Sequence, residues 1–234
     1  MVSIDLNADL GEGCPWDEAL LDLVSTASLS CGAHAGDDDA IRKTLRMARS
    51  RGVTVGAHPG YPDRDGFGRR ERAMTRDDVR ALVLEQVAHL RTMADDTGTV
   101  LRFIKPHGAL YNQSQRDPEM ARGLVEAARS LHLSLFGLPD SEVARVAAGA
   151  GVTFVTEGFA DRGYRPDGTL IPRGEPGAIL DDPRAIADQV VRLIDSRRIR
   201  TLCLHGDDPG AVRMAGIVRD ALDTHGVAIW SVQT

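Results

Sequence analysis

LRFIKPHGALYNQSQRDPEMARGLVEAARSLHLSLFGL, residues 101–138, is the stretch whose reading decides the fold. It opens with a short apolar run, Leu101–Lys105, and crosses a polar turn. A helical segment follows, Pro118–Leu131, with proline at its start, where the ring's fixed φ suits the first helical position. A second short run, Leu133–Leu138, closes the unit. Strand, helix, strand at this spacing is the pattern of parallel pairing with a crossover helix. The same unit recurs in both directions. Further β-branched or apolar runs lie at Ser3–Asn7, Ala27–Cys31, Val53–Ala57, Val152–Thr156, Thr201–His205 and Val227–Val232. Helical patterns occupy Asp39–Arg51, Arg76–Asp96, Ser141–Gly149, Pro183–Arg197 and Pro209–His225. In Arg76–Asp96, residues Val79, Leu82, Val83, Val87 and Leu90 fall on one helical face. Seven or eight strands alternating with helices predict a parallel α/β fold.

The 234 residues suit one α/β barrel, and no linker or low-complexity stretch divides them, so a single domain over 1–234 is expected. A chain of this size buries roughly 70–75% of its unfolded surface. The 28 Lys+Arg against 34 Asp+Glu give a net charge of −6, which argues against a nucleic-acid binder. Aromatics at 4% leave little material for base stacking. No apolar run approaches the ~18 residues of a membrane span, and no signal peptide is visible. Cys14, Cys31 and Cys203 form no CxxC pair, so a disulfide scaffold is not expected and a cytoplasmic setting fits. Cys31 and Cys203 lie inside strands and read as core.

Polar residues collect at the C-terminal ends of the strands, the face on which α/β barrels build active sites. Asn7, Asp9 and Glu12 follow the first strand, His34 and Asp37 the second, and His58 and a long loop carrying Arg69 the third. Lys105, His107 and Asn112 follow the fourth; Glu157, Asp161 and Arg162 the sixth; His205 and Asp207 the seventh. Four of the seven histidines thus hold equivalent positions, while His89, His132 and His225 fall in or beside helices and read as surface residues. Asp37, Asp38 and Asp39 precede a helix and suit capping and dipole roles. Asp5 alternates with apolar neighbours and is read either as a site residue or as the partner of a buried basic group. Lys105-Pro106-His107-Gly108 is the sharpest local feature. Only Lys43 and Lys105 are lysines in a chain that otherwise uses arginine. An ammonium at a strand end can neutralise an oxyanion or phosphate, and a histidine two residues on suits proton transfer. Two long Gly/Pro/Arg-rich segments, 56–74 and 158–182, are the candidate mobile or functional loops.

Six segments carry a resemblance: IDLNADLGEG (4–13), SCGAHAGD (30–37), VGAHPGYPDRDGFGRR (55–70), IKPHGALYN (104–112), EGFADRGYRPDGTLIPRGEPGAIL (157–180) and LHGDDPGAV (204–212). With them the chain resembles the LamB/YcsF family, known as the A component of 5-oxoprolinase. The resemblance implies an imperfect seven-stranded (β/α) barrel of the glycoside hydrolase/deacetylase type. It implies one component of an ATP-dependent enzyme that opens 5-oxo-L-proline (pyroglutamate) to L-glutamate with two partner subunits, B and C.

That reaction sets the roles expected of the residues. Lys105 and Arg69 would hold the substrate carboxylate or a transferred phosphate. Asp9 or Glu12 would act as base for water and His107 as the acid or base. Asn7 and Asn112 would orient the substrate, with Glu157, His34, His58 and His205 completing its pocket. The chain has no GxxxxGK[ST] loop, so either it binds ATP, the co-substrate, in an unfamiliar way or a partner holds the nucleotide. No residue is assigned to a metal in this reading. Two rival readings are a metal-dependent amide hydrolase or deacetylase, with Asp9, His34, His58 and His205 as ligands to a divalent ion, and a non-catalytic pyroglutamate-binding subunit.

Overall fold

The structure, a computed structural model, describes residues 2–231. Seven parallel strands close into a barrel: β1 (Val2–Leu10), β2 (Thr26–Ser30), β3 (Thr54–His58), β4 (Leu101–Ile104), β5 (Ser134–Gly137), β6 (Phe154–Phe159) and β7 (Thr201–Leu204). An eighth, β8 (Val227–Ile229), lies outside the ring. The helices are α1 (Asp17–Leu21), α2 (Asp38–Arg51), α3 (Arg76–Thr97), α4 (Gly108–Ser114), α5 (Pro118–Leu131), α6 (Glu142–Ala150), α7 (Pro183–Asp195) and α8 (Ala211–Thr224). The imperfect seven-stranded barrel expected from the sequence is therefore the architecture. Two short helices, α1 and α4, carry no clear sequence pattern, and the last expected strand ends at Ile229, its final residue Val232 lying outside the described residues. None of the described helices is long and apolar enough to cross a membrane.

β1 closes the ring by pairing with three neighbours. Val2–Ile4 run beside β8, Asp5–Ala8 beside β7, and Asn7–Leu10 beside β2. The sequence pattern ends this strand at Asn7. The real one continues to Leu10, which places Asn7 and Asp9 within the strand. Side chains alternate along it. Ile4, Leu6, Ala8 and Leu10 join the apolar layer between strands and helices. Asp5, Asn7 and Asp9 share the opposite face and are buried. The apolar layer is the source of stability: each buried leucine or valine is worth about 1.5–3 kcal/mol.

Inside the ring, space is tight. Phe103 and Phe136 stack with ring centroids 4.0 Å apart, and a Cβ on Gly56 would lie 2.4 Å from the Phe103 ring. At the closed end Asp5 accepts hydrogen bonds from the Ser25, Thr26 and Thr201 hydroxyls at 2.5–2.8 Å. Asp5 thus belongs to the barrel's polar interior, and its partners include hydroxyls where the sequence suggested a basic group.

Helix starts follow the sequence cues. Asp37 caps α2 through Ala40 N–H, and Thr75 with Asp78 forms a reciprocal capping box on α3. Asp38 and Asp39 sit in the first turn of α2. His89 pairs with Asp38 at the surface, and His132 and His225 are helix C-caps.

Candidate active site

The turns after β1 and β2 stand back to back at the barrel mouth. Gly11 N–H donates to Asp17 Oδ2 at 2.8 Å, and Thr44 donates to the same oxygen at 3.0 Å. This fixes the turn that carries Glu12. Gly36 has φ +71°, and a Cβ there would lie 2.1 Å from the Gly11 carbonyl oxygen. Gly36→Ala therefore meets both a left-handed backbone and a backbone collision. It is expected to cost about 2 kcal/mol or more, a fall in Tm of at least about 4–8 °C by scanning calorimetry. A shift under about 2 °C would refute the rigidity assigned to these paired turns.

Lys105 is the electrostatic centre. Its Nζ lies 2.9 Å from Asp9 Oδ1, 3.0 Å from Asn7 Oδ1, 2.9 Å from Glu157 Oε1 and 2.8 Å from Cys203 Sγ. The residue is 1% exposed. Burial alone would raise the Asp9 carboxyl, but the Lys105 ammonium outweighs it and holds Asp9 below the usual carboxylate range. Burial raises Glu157 despite the same ammonium. Asn7 donates to Glu157 at 3.1 Å and to Thr201 at 2.7 Å. Asn7 and Glu157, both expected to bind substrate, lie instead beneath Lys105 and hold it in place. Each is fully buried. Cys203 is buried as expected of a core residue, but it also accepts a hydrogen bond from the ammonium.

A cavity of about 220 Å³ opens above this group. Asp9, His58, Arg69, Lys105, His107, Asn112 and His205 line it, so seven of the sequence-nominated residues converge there. Arg162 and Arg173, from the loop 160–182, add two cations, and Tyr111 and Phe159 add aromatic walls. Arg162 donates to the Ala178 and Ile171 carbonyls, which folds that loop over the mouth. Its burial and the neighbouring Arg173 push its guanidinium down to about 10. Arg69 pairs with Asp207 at 2.5 Å, and its guanidinium sits 4.7 Å from the Phe67 ring centroid. The volume is about seven times the ~30 Å³ share of a water molecule, room for one small ring with a carboxylate.

His205 and His107 both line the cavity, but their rings are held differently. His205 Nδ1 lies 2.7 Å from Asp161 Oδ2, whose same oxygen also accepts the His205 backbone N–H at 3.1 Å. A carboxylate on one ring nitrogen fixes the tautomer and orientation of the other. His205 is thus the cavity histidine oriented for proton transfer. His107 has both nitrogens occupied: Nε2 meets the Phe67 carbonyl at 2.8 Å, and Nδ1 lies 3.0 Å from His58 Nε2. Its ring stacks on His34, with centroids 3.8 Å apart. His34, 1% exposed, lies behind it, and burial pushes its ring down to about 4. Glu12, expected as a possible base, faces His34 at 3.0 Å and is raised well above the usual range by burial and by Asp9. Glu12 is not part of the cavity lining; its carboxyl meets His34 instead.

Glu12, His34, His58 and His107 present ligand-type atoms within 4.8 Å of one another and are the described residues able to hold a metal ion. The set suggested by the sequence, Asp9, His34, His58 and His205, is not the one assembled: His205 is bonded to Asp161, and Glu12 and His107 take the two places. Asp161 carries no role in the sequence reading beyond its strand-end position; its partner across the β6–β7 seam is the missing signal.

A sequence model described as the LamB/YcsF family matches residues 4–234. The structure of a lactam utilization protein from Thermus thermophilus superposes with a TM-score of 0.91 at 38% identity, covering 99% of this chain and 100% of that one. A polysaccharide deacetylase from Bacillus cereus gives 0.57 at 13% identity, covering 100% and 93%. A GH113 β-1,4-mannanase gives 0.53 at 12%, covering 96% and 100%. The last two likenesses show the fold alone.

Proposed function

Because the chain belongs to the LamB/YcsF family, and because its cavity brings an ionised carboxylate, an oriented histidine and several cations together, we propose that it is a lactam hydrolase and the A component of an ATP-dependent 5-oxoprolinase. The observation that carries this reading is the pairing of Asp9 with Lys105 on one wall of the cavity and of His205 with Asp161 on another.

The lactam of 5-oxoproline is a stable amide, so opening it needs an activated carbonyl, a placed water and a proton for the departing nitrogen. Arg69, Arg162 and Arg173 offer planar donor groups to the substrate carboxylate or a phosphate. Asp9, kept ionised by Lys105, accepts a proton from water. The Lys105 ammonium supports negative charge developing on the carbonyl oxygen. His205, held by Asp161, protonates the ring nitrogen as the C–N bond breaks. Asn112 at the rim orients the ring. ATP is assigned to partner subunits B and C, since neither lysine lies in a phosphate-cradling loop. A cytoplasmic location accompanies this reading, where ATP is available.

The test is glutamate formation from 5-oxo-L-proline and ATP, with the chain alone and with its B and C partners. Glutamate appearing only with partners and ATP is the expected result. No glutamate from a well-folded three-component mixture would overturn the proposal. Release of acetate from N-acetylated sugars by the chain alone would move the assignment to a deacetylase.

A further inference from the structure

Two imidazole nitrogens face each other 3.0 Å apart at the barrel mouth: His58 Nε2 and His107 Nδ1. Their other nitrogens reveal which atoms carry hydrogen. His58 Nδ1 lies 2.7 Å from the Lys105 carbonyl oxygen, and His107 Nε2 lies 2.8 Å from the Phe67 carbonyl oxygen. A carbonyl only accepts, so each of those nitrogens must donate. In a neutral ring the facing nitrogen then holds a lone pair. Two lone pairs at 3.0 Å repel unless something positive lies between them. Protonating both rings would instead set two N–H groups head to head. The pair needs a shared cation, either one proton or a metal ion.

The third neighbour discriminates between these. Glu12 Oε1 lies 3.4 Å from His107 Nδ1 and 3.9 Å from His58 Nε2. Three donor atoms thus form a triangle with edges of 3.0, 3.4 and 3.9 Å. Ligand bonds of about 2.0–2.2 Å in tetrahedral geometry put neighbouring donors roughly 3.3–3.6 Å apart. A proton bridges only two of these atoms, whereas a metal ion takes all three, and Asp9 Oδ2, 3.5 Å from His58 Nε2, adds a further negative charge beside it. The surroundings repeat the pattern of metal-binding histidines, whose far nitrogen is anchored to a carbonyl or carboxylate. His34 Nε2, 3.0 Å from Glu12 Oε1, anchors the carboxylate in turn.

We propose that Glu12, His58 and His107 bind one divalent transition-metal ion of the zinc class, with His34 as the positioning residue for Glu12. Two nitrogens and one carboxylate oxygen are donors that zinc and its neighbours accept. Three protein ligands leave a fourth position, and because His58 and His107 line the cavity, that position faces it. The site does not depend on the lactam reading: the ion would bind whatever amide the cavity accepts.

The test reads binding directly. Untagged full-length chain, stripped with dipicolinate, is titrated with zinc chloride by calorimetry and with cobalt chloride by visible absorption. One ion per chain is expected, with the absorption of four-coordinate cobalt. Zinc at about a hundredfold excess over Kd should raise Tm by about 5–11 °C. Glu12→Gln and His107→Gln should each weaken zinc binding by more than about a hundredfold, and His34→Asn by about 10–100-fold. His89→Ala, a surface control, should leave it unchanged. Should a ligand variant fail to fold, the stoichiometry and cobalt spectrum of the wild-type chain still decide. No binding of either ion to folded wild-type chain at roughly 0.1 mM overturns the proposal, as does zinc binding that the folded Glu12 and His107 variants retain in full.

Discussion

Replacing Lys105 by methionine is expected to lower Tm by about 6–20 °C and to reduce turnover of the assembled enzyme at least about 100-fold. The ammonium is the shared partner of Asp9, Asn7, Glu157 and Cys203, all buried. Methionine fills a similar volume but leaves the Asp9 carboxylate charged in a site shaped to neutralise it. Removing one partner of a buried pair costs about 3–5 kcal/mol. At about 2–4 °C per kcal/mol for a chain of this size, the melting range follows. The expected loss of turnover rests on the role proposed for this cation in supporting negative charge on the carbonyl oxygen, worth about 10²–10³. Combining Lys105→Met with Asp9→Asn should recover part of the lost stability, because the stranded charge goes as well. Simple additivity of the two losses would show that the pair is not coupled and that this account of the barrel centre is wrong.

Asp9→Asn is the second large effect. Asparagine keeps the shape and still offers Lys105 an oxygen, so the fold should survive with a smaller change in Tm than Lys105→Met causes. In the proposed mechanism Asp9 is the proton acceptor for water, so kcat should fall about 10²–10⁴-fold. KM for 5-oxo-L-proline should stay within about threefold, since the proposal assigns the substrate carboxylate to the arginines. A kcat within about threefold of the parent, measured in the assembled enzyme, would remove Asp9 from the mechanism.

The fold was largely legible because its elements carry strong local signals: capped helices with one apolar face, and short strands opened by turns. The site was legible in part, for a reason visible in β1. Alternation shows that Asn7 and Asp9 share a face, but not how far into the barrel each reaches. The strand continues past Asn7 to Leu10, so Asn7 lies below the cavity floor and Asp9 lines the cavity. His107 shows a second limit. Its spacing from Lys105 suited proton transfer, but its partners, the Phe67 carbonyl and His58, come from another loop and another strand. Asp161 and His205 meet only because β6 and β7 pair, and the register Phe159↔Cys203 that brings them together has no local trace. Residue types at strand ends announce a site. Which of them touch is decided by strand register and tilt.

The three-way pairing of β1 also has a consequence for how the protein is made. Asn7 meets Thr201 across 194 residues of chain, and Asp5 meets it across 196. The seam between the first and seventh strands is therefore the last of the ring to be sewn. At about 5–20 residues per second, a nascent chain holds its first strand, with its inward acidic and amide side chains, for roughly 10–40 s before the matching edge leaves the ribosome. The groups gathered around Lys105 come from both sides of that seam, so the candidate site comes into being in the same act that closes the cylinder.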